Sequence, residues 1–262
     1  MEHIRTSNRI AELFEKKKEN ILSVFYTAGF PSLHDTGLIA DCLQNSGADL
    51  IEIGIPFSDP IADGPVIQAS SKRAIDNGMT VKLLLEQVRS LRKTVHLPLI
   101  LMGYLNPVLQ YGMERFFAHA SEAGVDGLIL PDMPFEEYQV VHREKMEGHG
   151  LRNIFLISPT TAEERIHKID RATNSFIYAV SSSGTTGVRE SFQTGQIAYF
   201  ERLRKMQLDN PFLIGFGVSN KETFASACKY AAGAIVGSAF IRLLESSTDL
   251  ETDIRQFVRS LK

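Results

Sequence analysis

The chain has 262 residues, of which 44% are hydrophobic and 23% are charged, which is typical of a globular protein with one large domain or two small ones. Its net charge of -3 provides no basic field for nucleic acid or anionic lipid. The apolar runs are strand-sized, and the charged N-terminal segment lacks the apolar core of a signal peptide, so we expect a soluble, cytoplasmic protein without a membrane span.

The chain begins with a helical segment and continues with eight apolar runs at wide spacing. Residues up to about 18 predict an extra helix, in which Leu13 and Phe14 can cover one end of the fold. Each apolar run has the length of a strand that is buried on both faces. The runs are residues 21–27, 50–55, 99–104, 127–130, 153–157, 176–180, 212–216 and 234–236.

Segments with helical periodicity lie between and after these runs. Residues 219–231 place apolar side chains on one face, and Ser219 with Glu222 has the spacing of a capping box. Residues 249–262 do the same, with Thr248 and Glu251 in the capping positions. The alternation of strand and helix is therefore regular along the chain.

Eight strands, each followed by a helix, in about 250 residues are typical of a (β/α)8 TIM barrel. We predict one TIM-barrel domain over residues 1–262, with an extra N-terminal helix and a short phosphate-binding helix after the eighth strand. The rival is a doubly wound open sheet. That fold usually carries a glycine-rich turn near its start, which this sequence lacks.

Glu52 lies inside the second apolar run. Because side chains alternate along a strand, Ile51 and Ile53 face the helices, and Glu52 faces into the barrel near the end that carries the chemistry of barrel enzymes. Burial there raises the pKa of a carboxyl group towards a value useful for proton transfer. We predict that Glu52 is catalytic. A structural glutamate, held by a backbone donor or an arginine, is the alternative.

The loop after this run carries two more acidic residues, Asp59 and Asp63, on a stretch with three prolines in ten residues. The prolines fix the backbone of the loop. Asp63 precedes a predicted helix start at Pro65, where a helix cap or a turn is its alternative role. Two carboxylates at one barrel mouth suit acid–base catalysis on a single substrate, so we predict that Asp63 is the second catalytic residue.

Glycine-containing turns follow the sixth, seventh and eighth predicted strands, in residues 181–187, 215–217 and 237–239. Glycine lets backbone N–H groups approach an anion, and a short predicted helix over residues 239–244 adds the dipole of its N-terminus. Barrels with phosphorylated substrates bind the phosphate at these last loops. We predict a phosphate site here, with ordinary tight turns as the alternative. We also predict a lid in the loop through about Gly195, with an ordinary flexible surface loop as its alternative.

Aromatic residues occur at strand positions near the same end of the barrel. We predict that Phe25, Tyr104, Tyr178 and Phe216 line a slot for a flat apolar group, with core packing as the alternative for each. The Tyr178 hydroxyl is placed to reach a catalytic carboxylate. The histidines show no metal-ligand spacing, so we expect no metal. No lysine falls on an inward strand position, which disfavours Schiff-base chemistry.

Several motifs resemble the tryptophan synthase alpha subunit family across nearly the whole chain. The most specific is EIGIPFSDPIADGPVIQ at residues 52–68. The others follow in the order and spacing of the family. They are FYTAGFP at 25–31, LPDMP at 130–134, SGTTG at 183–187, GFG at 215–217 and GSA at 237–239.

This resemblance implies a carbon–carbon lyase of tryptophan biosynthesis, which cleaves indole-3-glycerol phosphate to indole and glyceraldehyde 3-phosphate. The catalytic carboxylates of the family fall on Glu52 and Asp63, and its tyrosine near the catalytic acid falls on Tyr178. Its lid threonine falls on Thr186. Its phosphate-binding positions fall on Gly187, Gly217, Gly237 and Ser238.

The resemblance also implies an alpha2beta2 heterotetramer with a beta subunit that consumes the indole. Pyridoxal phosphate belongs to that partner, and no cofactor is expected in this chain. The partner is expected to contact residues 56–59, the turn at Asn106 and Pro107, and the lid. A stand-alone indole-3-glycerol phosphate lyase is the alternative. A different phosphosugar enzyme and a regulatory subunit without activity are further rivals.

Overall fold

The computed structural model describes residues 8–181 and 192–262, in which short strands alternate with helices. The strands are β1 (Ile21–Thr27), β2 (Leu50–Gly54), β3 (Leu99–Met102), β4 (Gly127–Ile129), β5 (Arg152–Asn153), β6 (Leu156–Ile157), β7 (Ile177–Val180), β8 (Phe212–Gly215) and β9 (Gly233–Val236). The helices are α1 (Arg9–Lys16), α2 (Asp35–Ser46), α3 (Pro65–Asp76), α4 (Val81–Leu91), α5 (Leu105–Tyr111), α6 (Met113–Ala123), α7 (Phe135–Glu137), α8 (Arg143–Gly148), α9 (Glu163–Ala172), α10 (Thr194–Lys205), α11 (Lys221–Cys228), α12 (Ser238–Ser246) and α13 (Leu250–Leu261). A π-helical turn, Tyr138–His142, joins α7 to α8.

The strands form one parallel sheet that closes into a barrel. Their order is β5-β4-β3-β2-β1-β9-β8-β7-β6, so β5 and β6 stand at the two ends of the series although they are neighbours in the chain. Between them, Ile154 donates its N–H to Leu128, and Phe155 accepts from the N–H of Tyr178. This one segment therefore bonds to β4 with its first half and to β7 with its second half, which closes a barrel of eight strand positions.

The predicted TIM barrel is confirmed, with one correction to its strands. Residues 153–157 were predicted as a single strand, but the segment is divided into β5 and β6. The cause is the stagger of a closed barrel, in which a strand meets its two neighbours over offset stretches of backbone. The other predicted strands agree with the observed ones to within two residues at each end.

Alternation of side chains separates an outer core from an inner one. Ile51, Ile53 and Ile55 lie in the outer core between strands and helices, as predicted. The inner core includes Leu50 on β2, and the extra helix α1 closes its N-terminal end with Phe14, whose ring centroid lies 5.4 Å from that of Phe176. The N-terminal helix is thus confirmed as a plug for the bottom of the barrel.

Two predicted capping boxes are wrong by one residue. Asn220, not Ser219, caps α11, and its side chain accepts from the N–H of Thr223. Asp249, not Thr248, caps α13 in the same way, with Thr252 as donor. Neighbouring polar residues are all able to cap, and the extended backbone at the true cap decides between them.

The two helices that flank the site begin close to their predicted positions. Helix α3 begins at Pro65, and its cap position is Gly64, so Asp63 does not cap it. Helix α12, predicted over residues 239–244, begins at Ser238 and ends at Ser246. Within residues 8–181 and 192–262, no helix combines the length and the apolar character needed to cross a membrane.

Candidate active site

The C-terminal ends of the strands surround a depression made of two adjoining cavities. The first has a volume of about 360 Å³ and is lined by residues that follow β2, β3 and β6. The second, of about 70 Å³, lies towards the residues that follow β8 and β9. The side chains common to both are Phe25, Asp63, Ile67, Met102 and Phe216. This is the end of the barrel at which TIM-barrel enzymes carry their active sites.

Glu52 lies beneath the floor of this depression. It stands on β2 opposite Phe25 of β1, and its side chain is fully buried. Phe25 packs its ring against Gly54, where a Cβ atom would lie 2.7 Å from the ring. Gly54 is the next inward position towards the mouth, and Glu52 itself is not among the residues that line either cavity. The inward direction predicted for Glu52 is confirmed.

Among the residues that the structure describes, the carboxyl group of Glu52 has a single hydrogen bond. The Ser23 hydroxyl donates to its Oε1 over 2.7 Å. Its Oε2 is buried and has no hydrogen-bond partner in the described parts of the chain. Burial raises the pKa of Glu52 to about 7, and the hydrogen bond from Ser23 opposes part of that rise. A carboxyl group with this pKa can both donate and accept a proton near neutral pH.

Asp63 lies in the loop between β2 and α3, where it lines both cavities. The Tyr104 hydroxyl donates to its Oδ2 over 3.1 Å, and the same hydroxyl accepts from the N–H of Ala62 over 3.0 Å. Burial raises the pKa of Asp63 to about 6, and the hydrogen bond from Tyr104 opposes this. Asp63 is therefore an oriented carboxylate on the cavity wall, ionised above about pH 6.

Tyr178 lines the second cavity together with Gly217 and Gly237. Its ring occupies space that Gly215 leaves free, because a Cβ there would lie 2.3 Å from the hydroxyl oxygen. Burial and the charges of Glu52 and Asp63 raise the pKa of Tyr178 well above its usual value. In the described residues its hydroxyl forms no hydrogen bond with either carboxyl group, so the predicted contact with the catalytic carboxylate is absent.

The second cavity ends at the N-terminus of α12. Gly237, Ser238 and Ala239 line it, together with Gly217 after β8. The first N–H groups of a helix have no partner within the helix, and they favour an anion in front of them. Gly217 has φ 77° and Phe216 has φ 65°, a left-handed backbone that is unusual for phenylalanine. The turn after β8 is thereby folded along the edge of the cavity.

The first cavity is mainly apolar. The rings of Phe57 and Tyr104 pack at a centroid distance of 5.2 Å, and Phe25, Met102 and Leu156 add further apolar surface. Asp63 is the acidic group on this wall. Such a slot suits a flat aromatic group with one polar N–H, since a carboxylate can accept a hydrogen bond from it.

The structure brings most of the predicted site residues together. Glu52, beneath the floor, is the exception among the described ones, and Thr186 and Gly187 lie outside the described residues, as does most of the predicted lid. The predicted site residues that line the cavities are Phe25, Asp63, Tyr104, Tyr178, Phe216, Gly217, Gly237 and Ser238.

Sequence reasoning missed several residues of the site. Ser23 shares the inward face of β1 with Phe25, so its spacing of two residues was a usable signal. Ile67 and Met102 are ordinary apolar residues, and nothing in the sequence around them indicates that they line a cavity. In residues 8–181 and 192–262 there is no cluster of three histidine, cysteine or acidic side chains able to hold a metal ion.

Comparison with known proteins agrees with this geometry. The family model for the tryptophan synthase alpha chain matches residues 11–261. The chain belongs to the tryptophan synthase alpha chain family. Its membership, predicted from the motifs, is confirmed.

Relatives in this family match the chain over almost its full length. The tryptophan synthase alpha chain of Parabacteroides distasonis is 49% identical over 97% of this chain and 99% of its own length. That of Flavobacterium psychrophilum is 53% identical over 90% of this chain and 93% of its own. The alpha-chain name of these relatives does not favour the stand-alone lyase alternative, and the family places the chain among the lyases.

Solved structures of the family share the fold. The crystal structure of tryptophan synthase subunit alpha from Legionella pneumophila has a TM-score of 0.88 and 39% identity, and it covers 98% of this chain and 97% of its own. A chain of tryptophan synthase from M. tuberculosis, in its aminoacrylate-bound form, has a TM-score of 0.84 and 29% identity, covering 97% and 98%.

Proposed function

We propose that this chain cleaves indole-3-glycerol phosphate to indole and glyceraldehyde 3-phosphate, with Glu52 and Asp63 as its catalytic residues. The observation that carries this proposal is the pair of carboxyl groups at the C-terminal end of the barrel, with Asp63 on the cavity wall and Glu52 beneath the floor. One is fully buried with a pKa near 7, and the other is oriented on an apolar wall. A helix N-terminus that suits a phosphate lies across the same depression.

In the proposed reaction Glu52 acts first as an acid. It donates a proton to C3 of the indole ring, which leaves the positive charge on the ring nitrogen and C2. The bond between C3 and the adjacent side-chain carbon then breaks, and its electron pair returns to the ring. The hydroxyl group on that carbon becomes the aldehyde and loses its proton to ionised Glu52. The proton balance is closed, because Glu52 gives one proton and recovers one.

Asp63 supports this step as an anion. It accepts a hydrogen bond from the indole N–H and stabilises the positive charge that develops there. The hydrogen bond from Tyr104 fixes the direction of the carboxylate, so little reorganisation is needed when the charge appears. Gly217, Gly237 and Ser238 would bind the phosphate, with Thr186 and Gly187 contributing from the predicted lid.

The catalytic roles are tested with two isosteric substitutions in the isolated chain. Glu52→Gln and Asp63→Asn should each lower kcat for indole-3-glycerol phosphate by about 10²–10⁴, because each removes an acid–base or charge-stabilising group. Asp59→Asn is the matched control, since Asp59 is exposed in the same loop and does not line the cavity. Near-normal turnover of either site variant, with Asp59→Asn also active, would reject the proposed role.

The phosphate site is tested by adding charge at the helix N-terminus. Gly237→Asp should raise the KM for indole-3-glycerol phosphate at least about tenfold, because a carboxylate in front of α12 repels the phosphate. Gly148→Asp serves as control, since no atom lies within 4 Å of a Cβ at that position on α8. An unchanged KM in Gly237→Asp would place the phosphate elsewhere.

We further propose that the chain pairs with a tryptophan synthase beta subunit in an alpha2beta2 heterotetramer. Pyridoxal phosphate would reside in that subunit, where the indole is consumed. Two large apolar side chains beside the mouth support a docking face, Ile61 with 88% and Leu109 with 54% of its surface exposed. Exposed apolar groups of this size favour burial against a partner.

The partner is tested by titrating a beta subunit into this chain while cleavage is measured. Activation is expected, and Ile61→Asp should weaken it without changing the activity of the isolated chain, because Ile61 does not line the cavities. High turnover alone with no response to the beta subunit would instead support the stand-alone lyase.

A further inference from the structure

We propose that Ser23 is a positioning residue for Glu52, which fixes one carboxyl oxygen and sets the proton affinity of the group. Oε2 is then the oxygen that exchanges protons with the substrate. This inference deepens the proposed function and rests on it, since Glu52 is the acid and base of that reaction. It adds a second residue of β1, two positions before Phe25, to the site.

The geometry of the pair is specific. Ser23 and Glu52 both lie on inward positions of adjacent strands, and both are fully buried. Ser23 stands opposite Leu50 in the strand register, one layer nearer the bottom of the barrel than Glu52. Its hydroxyl reaches up to Oε1 over 2.7 Å. A buried hydroxyl needs a partner, and the carboxyl oxygen meets that need.

Few other groups act on this carboxyl. The inward residues of β1 and β3 beside it are Phe25, Ile100 and Met102, which carry no charge. Tyr178 faces it from β7, and the charges of Glu52 and Asp63 both raise the pKa of Tyr178. Burial and the Ser23 hydrogen bond alone shift the pKa of Glu52 in the described residues. No cation among the described residues acts on it, so after burial the Ser23 hydroxyl is the main influence on its protonation.

The hydroxyl also separates the roles of the two carboxyl oxygens. A donor on Oε1 stabilises the ionised form and makes that oxygen a poor site for the proton. The proton is therefore carried by Oε2, which is buried and has no partner in the described parts of the chain. Proton transfer to the ring and back from the hydroxyl then uses one defined atom.

The test compares Ser23→Ala with Ser70→Ala. Ser70 also has a buried hydroxyl in a 2.7 Å hydrogen bond, with Thr27, but it does not contact Glu52. The carboxyl ¹³C resonance of Glu52, assigned by its loss in Glu52→Gln, is titrated in the free protein. Ser23→Ala should raise the pKa by about one unit, since hydrogen bonds to charged groups contribute on that scale. Ser70→Ala should leave it unchanged.

Kinetics provide the second measurement. Because Glu52 must be protonated to start the reaction, the alkaline limb of the kcat/KM profile should move up by the same unit in Ser23→Ala, and the acid limb should stay. KM at the optimum should change by less than about threefold, because the substrate groups bind elsewhere. Ser23→Thr, which keeps the hydroxyl on a strand position suited to it, should restore the wild-type titration.

The outcomes separate this inference from the proposed reaction. An unmoved Glu52 titration in Ser23→Ala, an equal shift in Ser70→Ala, or a Ser23→Thr that titrates like alanine would each overturn it. The titration needs no substrate. Failure of the proposed function would therefore appear as a wild-type chain that does not cleave indole-3-glycerol phosphate, even though Ser23→Ala still shifts the titration.

Discussion

Replacement of Glu52 by glutamine should change how the stability of the protein depends on pH. Burial raises the pKa of Glu52 from 4.5 to about 7 on folding, so the folded state binds its proton more tightly than the unfolded chain. A group with a raised folded pKa contributes its stability fully below the unfolded pKa. That contribution is lost as the pH rises through the folded pKa. Glutamine removes this titration and keeps an oxygen for the Ser23 hydroxyl.

The size of the effect follows from the shift. At about 1.4 kcal/mol per pKa unit, ionising the buried carboxyl costs the wild type about 3.5 kcal/mol in total. Most of this, about 2.5 kcal/mol, falls between pH 5 and pH 8, which spans the folded pKa of about 7. The wild type should therefore lose that much more free energy of unfolding than Glu52→Gln over this interval.

Urea unfolding at pH 5, 6, 7 and 8 measures this difference directly. Other groups that titrate in this range, Asp63 among them, act in both proteins and cancel in the comparison. Glu144→Gln is the control, because Glu144 is exposed on α8 and should keep the wild-type pH dependence. Parallel stability curves for wild type and Glu52→Gln would refute the reasoning, since Glu52 would then titrate as it does in the unfolded chain.

Three further measurements test the site. The kcat/KM profile should be bell-shaped, with limbs near pH 6 and pH 7 from Asp63 and the buried glutamate, and a flat profile from pH 5 to 8 would contradict this. Tyr104→Phe removes the donor to Asp63, so the acid limb should rise and kcat/KM should fall about tenfold; an unmoved limb would argue against this contact. Gly215→Ala places a Cβ 2.3 Å from the Tyr178 hydroxyl and should lower the free energy of unfolding in urea by about 1–3 kcal/mol. Gly195→Ala, with open space around it, should be neutral or stabilising. Equal effects of the two substitutions would reject the steric argument.

The barrel was predictable because its pattern repeats. Each buried strand leaves an apolar run, and a closed parallel barrel uses eight of them, so an error of one or two residues in any run does not change the fold. The division of residues 153–157 into β5 and β6 was not predictable in this way. It depends on the stagger between neighbouring strands, which is a property of the closed barrel and leaves no mark in one run.

The site was predictable where it depends on strand alternation. The inward direction of Glu52 follows from its position between Ile51 and Ile53, and the same rule would have found Ser23 two residues before Phe25. The bond between Tyr104 and Asp63 joins residues 41 apart in the chain. It requires the folded path of the loop after β2, so sequence alone indicated Tyr104 as an apolar wall and missed its hydrogen bond.

The side chain that contacts the buried carboxyl group of Glu52 determines how far burial raises its pKa. A lysine or arginine at the position of Ser23 would hold Glu52 ionised at neutral pH, and an apolar residue there would leave its pKa higher still. A serine hydroxyl lies between these limits, which keeps the pKa near 7. The folded protein therefore loses stability as Glu52 ionises. The same raised pKa lets the carboxyl group donate and accept a proton near neutral pH.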